Sequence, residues 1–117
     1  MKSVREVTFA LLRDLGINHI FGNPGSTELT MFRDFPADFR YVLGLQESVV
    51  VGMADGYAQA THNAAFVNLH SAVGVGHAMG NLFTAYRNRT PLVITAGDVQ
   101  AGIHQKLALE HDTPTRS

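Results

Sequence analysis

Apolar runs and segments with helical spacing alternate along most of the chain. Four short apolar runs predict β-strands, at 17–21, 40–45, 64–69 and 91–96. Four other segments predict α-helices, at 3–15, 28–35, 47–61 and 74–87. Strands that alternate with helices are typical of βαβ units and a parallel sheet. We therefore predict an α/β fold, with a doubly wound parallel sheet and helices on both of its faces.

The first predicted helix carries signals at both of its ends. Ser3 and Glu6 have the spacing of a capping box, and Gly16 is suited to the position that follows a helix. Between these signals, apolar residues recur on one helical face at Val4, Val7, Leu11 and Leu15. The pattern indicates an amphipathic helix at the amino end of the fold.

A polar cluster follows each of the first two predicted strands, and another closes the third. The clusters are Asn-Pro-Gly-Ser at 23–26, Gln-Glu at 46–47 and Asn-Leu-His-Ser at 68–71. The carboxyl ends of parallel strands meet at one edge of a sheet, where open α/β sheets bind ligands. We therefore expect the hydroxyl of Ser26, the carboxylate of Glu47 and the imidazole of His70 to share that edge.

Each of these three residues also has a purely structural explanation. A carboxylate such as Glu47 in the first turn of a helix complements the helix dipole without any further function. His70 could be a hydrogen-bonded imidazole in a half-buried turn, and Ser26 could be a turn residue or a helix N-cap. Their shared position at one sheet edge is what favours a functional site.

Composition narrows the class of protein. The 117 residues carry a formal net charge of −1 and no cysteine, and only 16% of them are charged. The absence of cysteine excludes thiolate chemistry, and the absence of a basic cluster gives no sign of a nucleic-acid surface. The histidines do not have the spacing of a metal site, and no segment is long enough to span a membrane. We expect a cytoplasmic protein whose low charge reflects surface hidden against another domain or chain.

The pattern changes after the fourth strand. Residues 1–97 predict most of one domain, whereas 98–117 contain a weakly helical stretch and then a polar run without a fifth strand. We interpret 98–117 as an incomplete or frayed tail, and the domain as truncated before its last strands. A complete four-stranded domain with a frayed end is the alternative.

Several short sequence motifs indicate a resemblance to a known family. They are Phe21-Gly22-Asn23-Pro24-Gly25-Ser26, Leu45-Gln46-Glu47, Met53-Ala54-Asp55-Gly56-Tyr57-Ala58, Asn68-Leu69-His70-Ser71-Ala72 and Pro91-Leu92-Val93-Ile94-Thr95-Ala96-Gly97. In this order and spacing they resemble the amino-terminal pyrimidine-binding domain of thiamine-diphosphate-dependent 2-oxo acid decarboxylases. Within that family they are most similar to the benzoylformate decarboxylases, chiefly through Ser26, Glu47 and His70.

The resemblance implies a role for each residue at the predicted edge. Glu47 would hydrogen-bond the N1′ nitrogen of the cofactor's aminopyrimidine ring and so activate the cofactor. His70 would donate or accept a proton at the substrate, and Ser26 would orient the substrate by a hydrogen bond. The remaining implied cofactor contacts are Asn23, Pro24, Gly25, Gly74 and His77.

The resemblance also implies a partner. Members of the family bind the cofactor diphosphate through Mg²⁺ on a second domain marked by Gly-Asp-Gly, a word that this sequence lacks. We therefore expect a diphosphate-binding domain or subunit as partner, a homo-oligomer (dimer or tetramer) in the complete enzyme and a 2-oxo acid as substrate. The chain alone should be inactive.

Two other functions remain open from the sequence. The chain could be the small subunit of a two-chain decarboxylase whose partner carries Gly-Asp-Gly. It could also be a non-catalytic remnant or interaction module that kept the fold. A separate neighbouring reading frame with Gly-Asp-Gly would favour the first of these, whereas a frame that continues past Ser117 would favour a truncated enzyme domain.

Overall fold

The computed structural model describes residues 3–24 and 34–97. The strands are β1 (His19–Gly22), β2 (Arg40–Leu43), β3 (Ala65–His70) and β4 (Leu92–Gly97). The helices are α1 (Val4–Asp14), α2 (Glu47–Thr61) and α3 (Ser71–Arg87). The predicted tail at 98–117 and most of the predicted helix at 28–35 lie outside the described residues.

The four strands form one parallel sheet in the order β2-β1-β3-β4. Strand β2 pairs with one side of β1. The chain then crosses over, so that β3 pairs with the other side of β1. Strands β1 and β3 therefore flank the switch point of the sheet, the position at which open α/β sheets form a ligand crevice.

Helices cover both faces of this sheet, as predicted. On one face, Phe9 and Leu12 of α1 pack with Ile20, Phe39 and Phe66. On the other face, α2 and α3 pack on the alternate side chains of the strands. The buried residues of that second core are Phe21, Val50, Val51, Ala54, Ala58, Ala65, Val67, Leu69 and Ala78. The alternation along β3 assigns Phe66 to the first core and its neighbours Ala65 and Val67 to the second, as the strand's period of two requires.

Helix α1 forms where its end signals predict. The Ser3 hydroxyl accepts from the Glu6 N–H at 3.2 Å, the Glu6 carboxylate accepts from the Ser3 N–H at 3.4 Å, and Gly16 has a φ of +73°. The side chains that pack are Phe9 and Leu12, whereas the regularly spaced set Val4, Val7, Leu11 and Leu15 is exposed. The apolar spacing thus predicted the helix but not the face that it buries.

Helix α3 begins three residues earlier than predicted. The predicted helix spans 74–87, whereas the helix in the structure begins at Ser71 and ends at Arg87. Ser71 has a φ of +59°, a left-handed conformation that turns the chain from β3 directly into the helix.

Among the helices that the structure describes, none has the length and apolar character needed to span a membrane.

Candidate active site

The candidate site lies at the carboxyl end of the sheet, around the switch point. Gly22, the last residue of β1, pairs in register with Asn68 of β3, and half-buried Asn23 and Pro24 follow it directly. His70 ends β3 and is also half-buried. The structure therefore places three of the predicted site residues after or at the ends of the two central strands. Gly25 and Ser26 lie outside the described residues.

Helix α2 begins close to the end of β2. A Cβ atom at Gly44 would lie 2.6 Å from Val50 Cγ2 and 3.0 Å from Met53 Cε, so glycine permits this approach. Gln46 caps the helix, because its side-chain oxygen accepts from the N–H groups of Ser48 at 2.7 Å and Val49 at 3.2 Å. Glu47 is the first residue of this helix, and the close approach at Gly44 and the Gln46 cap both fix where the helix begins.

The Glu47 carboxylate lies against helix α3. Its side chain is only 13% exposed, and its Oε2 atom is 3.9 Å from Nδ1 of His77, whose side chain is 58% exposed. A Cβ atom placed on buried Gly74 would lie 3.4 Å from Oε1. The structure thus brings together three predicted site residues from two helices: Glu47, Gly74 and His77.

A polar bridge joins the start of α2 to the middle of α3. The Asn81 amide of α3 donates hydrogen bonds to the backbone carbonyl of Ser48 and, at 3.0 Å, to the Ser48 hydroxyl. Asn81 follows His77 by four residues and therefore lies on the same side of α3. Sequence reasoning missed this contact, although a lone amide on the face of α3 shared by Gly74 and His77 was a usable signal.

The turn between β3 and α3 positions His70. His70 is the N-cap residue of α3 but its side chain makes no capping hydrogen bond, and Ser71 takes the left-handed conformation next to it. The Ser71 hydroxyl accepts from the Val73 N–H at 3.3 Å, which closes the turn. A left-handed serine is uncommon, and such backbone conformations cluster at functional sites.

Asn68 is a further polar residue at this edge. It is 3% exposed, and its amide donates to the Thr95 hydroxyl of β4 at 3.0 Å. Its Oδ1 atom has no hydrogen-bond partner in the part of the chain that the structure describes. In the sequence, the signal for Asn68 is a polar residue inside an apolar strand.

The arrangement can support proton sharing with a bound ligand. A carboxylate that is largely shielded from water, beside an imidazole, can exchange a proton with a basic nitrogen placed against it. In residues 3–24 and 34–97, no group of three or more His, Asp or Glu side chains could hold a metal ion. The Glu47 carboxylate and the His77 imidazole can hydrogen-bond a ligand and exchange protons with it.

Comparison with known proteins agrees with this geometry. Residues 2–115 match the family described as thiamine pyrophosphate enzyme, N-terminal TPP binding domain. Benzoylformate decarboxylase of Pseudomonas aeruginosa is 56% identical over 97 residues, which are 83% of this chain and 18% of that protein. The chain thus spans about a fifth of the length of its relatives.

Two solved structures share the fold at high sequence identity. Benzoylformate decarboxylase of Polynucleobacter necessarius has a TM-score of 0.81 and 56% identity, covering 83% of this chain and 18% of that one. Rhodococcus jostii RHA1 thiamine diphosphate-dependent 4-hydroxybenzoylformate decarboxylase has a TM-score of 0.83 and 51% identity, covering 90% and 20%. With its parallel sheet, its carboxylate at the switch edge and its match over nearly all residues, the chain belongs to the family of N-terminal thiamine pyrophosphate-binding domains.

Proposed function

We propose that this chain supplies the pyrimidine-binding side of a thiamine-diphosphate-dependent decarboxylase that acts on a 2-oxo acid, similar to benzoylformate decarboxylase. The observation that carries the proposal is the Glu47 carboxylate, which is largely enclosed at the carboxyl edge of the sheet and faces Gly74 and His77. The high identity to benzoylformate decarboxylases favours that reaction within the family.

The described residues fit an aminopyrimidine ring. A ring nitrogen needs one hydrogen-bonding partner that can hold or release a proton, which a shielded carboxylate provides. Glu47 would hold the proton at N1′, and the absence of a side chain at Gly74 lets the Glu47 side chain pack closely against α3. When bound, the cofactor supplies a nucleophilic carbon and an electron sink for the loss of carbon dioxide.

The substrate side of the site would belong to the other edge residues. His70, at the end of β3, would give a proton to or take one from the substrate oxygen. Ser26 would orient the substrate carboxylate, and the backbone at Asn23, Pro24 and Gly25 would border the pyrimidine. His77 would act beside Glu47, with which it already shares a contact.

The rest of the cofactor requires another domain. Relatives are about five times longer than this chain, which leaves room for a diphosphate-binding domain that carries Mg²⁺. We propose that this domain, on the same chain or on a partner subunit, closes the site within a cytoplasmic homo-oligomer. The exposed side chains of Met79 and Phe83 on α3 would suit such a junction.

Exchange of the cofactor's C2 proton for deuterium tests the proposal directly. In the assembled enzyme, Glu47→Gln should slow this exchange on the order of 100-fold or more, because an amide cannot share the N1′ proton. Glu6→Gln is the matched control, since Glu6 caps the distant helix α1 and glutamine also serves in a capping box. Wild-type exchange in Glu47→Gln would overturn the proposal that Glu47 activates the cofactor.

A further inference from the structure

We propose that Gly74 is a positioning residue that determines where the Glu47 carboxylate lies. The inference rests on the proposed function of Glu47 as the group that hydrogen-bonds the cofactor pyrimidine. It assigns to Gly74 an action through Glu47, in addition to any contact with the cofactor itself.

The geometry around Gly74 leaves little space for a side chain. A Cβ atom at this position would lie 3.0 Å from Cγ of Glu47, 3.4 Å from its Cδ and 3.4 Å from its Oε1. The first distance is tighter than an ordinary carbon–carbon contact of about 3.5–4.0 Å. An alanine at residue 74 would therefore push the Glu47 side chain away from α3 by a few tenths of an ångström.

The backbone of Glu47 cannot absorb this displacement easily. Gln46 caps the helix just before it, and the bridge from Asn81 holds Ser48 just after it. One turn of α2 further on, Val50 and Val51 are fully buried in the core. The push from residue 74 would consequently act on the side chain of Glu47, and so on its carboxylate.

The carboxylate is confined from two positions of the same helix. Gly74 lies beside Oε1, whereas His77, three residues later on α3, lies 3.9 Å from Oε2. One turn of α3 thus faces both oxygens. The left-handed turn at Ser71 delivers this first part of α3 to the start of α2.

Glycine at position 74 is unfavourable for the helix itself. Within a helix, alanine is more stable than glycine because glycine loses more backbone freedom. Gly76 has the same intrinsic cost two residues later, but a Cβ atom there would meet nothing within 4 Å. Gly76→Ala is therefore a matched control that changes the helix propensity without the contact to Glu47.

The first measurement needs no cofactor. In the protein labelled with ¹³C at the glutamate carboxyl carbon, the Glu47 resonance is assigned through its loss in Glu47→Gln. We expect Gly74→Ala to shift this resonance and Gly76→Ala to leave it unchanged. An unchanged Glu47 resonance in Gly74→Ala, with the protein folded by circular dichroism, would overturn the inference.

The second measurement uses the assembled enzyme with thiamine diphosphate and Mg²⁺. Gly74→Ala should slow C2 proton exchange by roughly tenfold or more, because small misplacements at reacting groups are costly. Gly76→Ala should keep the wild-type rate. If Glu47→Gln slows exchange and Gly74→Ala does not, the positioning role fails while the proposed function stands. Wild-type exchange in Glu47→Gln would overturn both.

Discussion

The imidazole of His19 stacks on the ring of Tyr57, with the two ring centroids 4.5 Å apart and the planes inclined by 28°. The Tyr57 hydroxyl also lies 3.1 Å from Nδ1 of the same imidazole. This pair joins the first residue of β1 to the middle of α2, at the end of the sheet opposite to the candidate site. It therefore connects the sheet to the helix that begins with Glu47.

Stability should decrease in mild acid because of His19. Burial of the imidazole, and to a lesser extent the charge of Arg40, lower the pKa of His19 below its ordinary value of 6.5. The folded chain thus binds this proton less readily than the unfolded chain does. The free energy of unfolding should therefore decrease as the pH falls below about 6.5, and this effect should be absent at higher pH.

Thermal unfolding between pH 5 and pH 8 measures this effect. His19→Gln should have a flatter dependence of the melting temperature on pH below about 6.5 than the wild type. Tyr57→Phe retains the stacked ring and should retain most of the slope. Equal slopes in His19→Gln and the wild type would contradict the assignment.

A second prediction concerns buried Asp55 in α2. Its Oδ1 atom accepts from the Gln59 amide at 2.8 Å and from the Thr90 hydroxyl at 2.6 Å, which links α2 to the segment before β4. Asp55→Ala should lower the free energy of unfolding by about 1–3 kcal/mol, because both donors lose their acceptor. Asp55→Asn retains an acceptor oxygen and should lose less. Urea unfolding that ranks the two variants equally would argue against this link.

A third prediction concerns the hydrogen-bond bridge from Asn81 in the middle of α3 to Ser48 at the start of α2. Asn81→Leu removes the amide that donates hydrogen bonds to the half-buried carbonyl and hydroxyl of Ser48. The free energy of unfolding should therefore decrease by about 1 kcal/mol. Ser48→Ala, which removes only the hydroxyl acceptor and keeps the carbonyl, should have a smaller effect. Chemical denaturation measures the free energy of unfolding of both variants. A larger decrease in Ser48→Ala than in Asn81→Leu would refute the prediction.

A fourth prediction concerns the left-handed turn at Ser71. Glycine tolerates a φ of +59° without strain, whereas a β-branched residue does not. Ser71→Gly should therefore be close to wild type in stability, and Ser71→Val should lose about 1–3 kcal/mol. Melting temperatures that fall equally in both variants would show that the serine hydroxyl, and not the backbone conformation, is what matters.

Much of this architecture was predictable from the sequence because local signals agreed with the fold. The predicted bounds of α2, 47–61, are those of the structure, since a polar start, a long helical pattern and the end of the pattern coincide. The parallel sheet with helices on both faces and the position of Glu47 at its edge were predicted for the same reason. The proposed roles of Glu47, Ser26 and His70 remain predictions.

The remaining features depend on contacts between distant segments. The start of α3 was wrong because a left-handed Ser71 has no distinct sequence signal. Helix α1 has apolar residues on more than one side, and the aromatic rings of Phe35 and Phe39 around Phe9 decide which side is buried. The Asn81 bridge likewise exists only once α2 and α3 have packed together.

The strand order has a consequence for the time course of folding. Strand β1 lies between β2 and β3, and both of its neighbours come later in the chain. Pairing over long sequence separations is intrinsically slow, and a chain made from its amino end must wait for these strands to be synthesised. Glu47 is synthesised before β3 and α3. Its carboxylate is therefore not covered by α3 until the turn that contains Gly74 and His77 has been made and has packed against it.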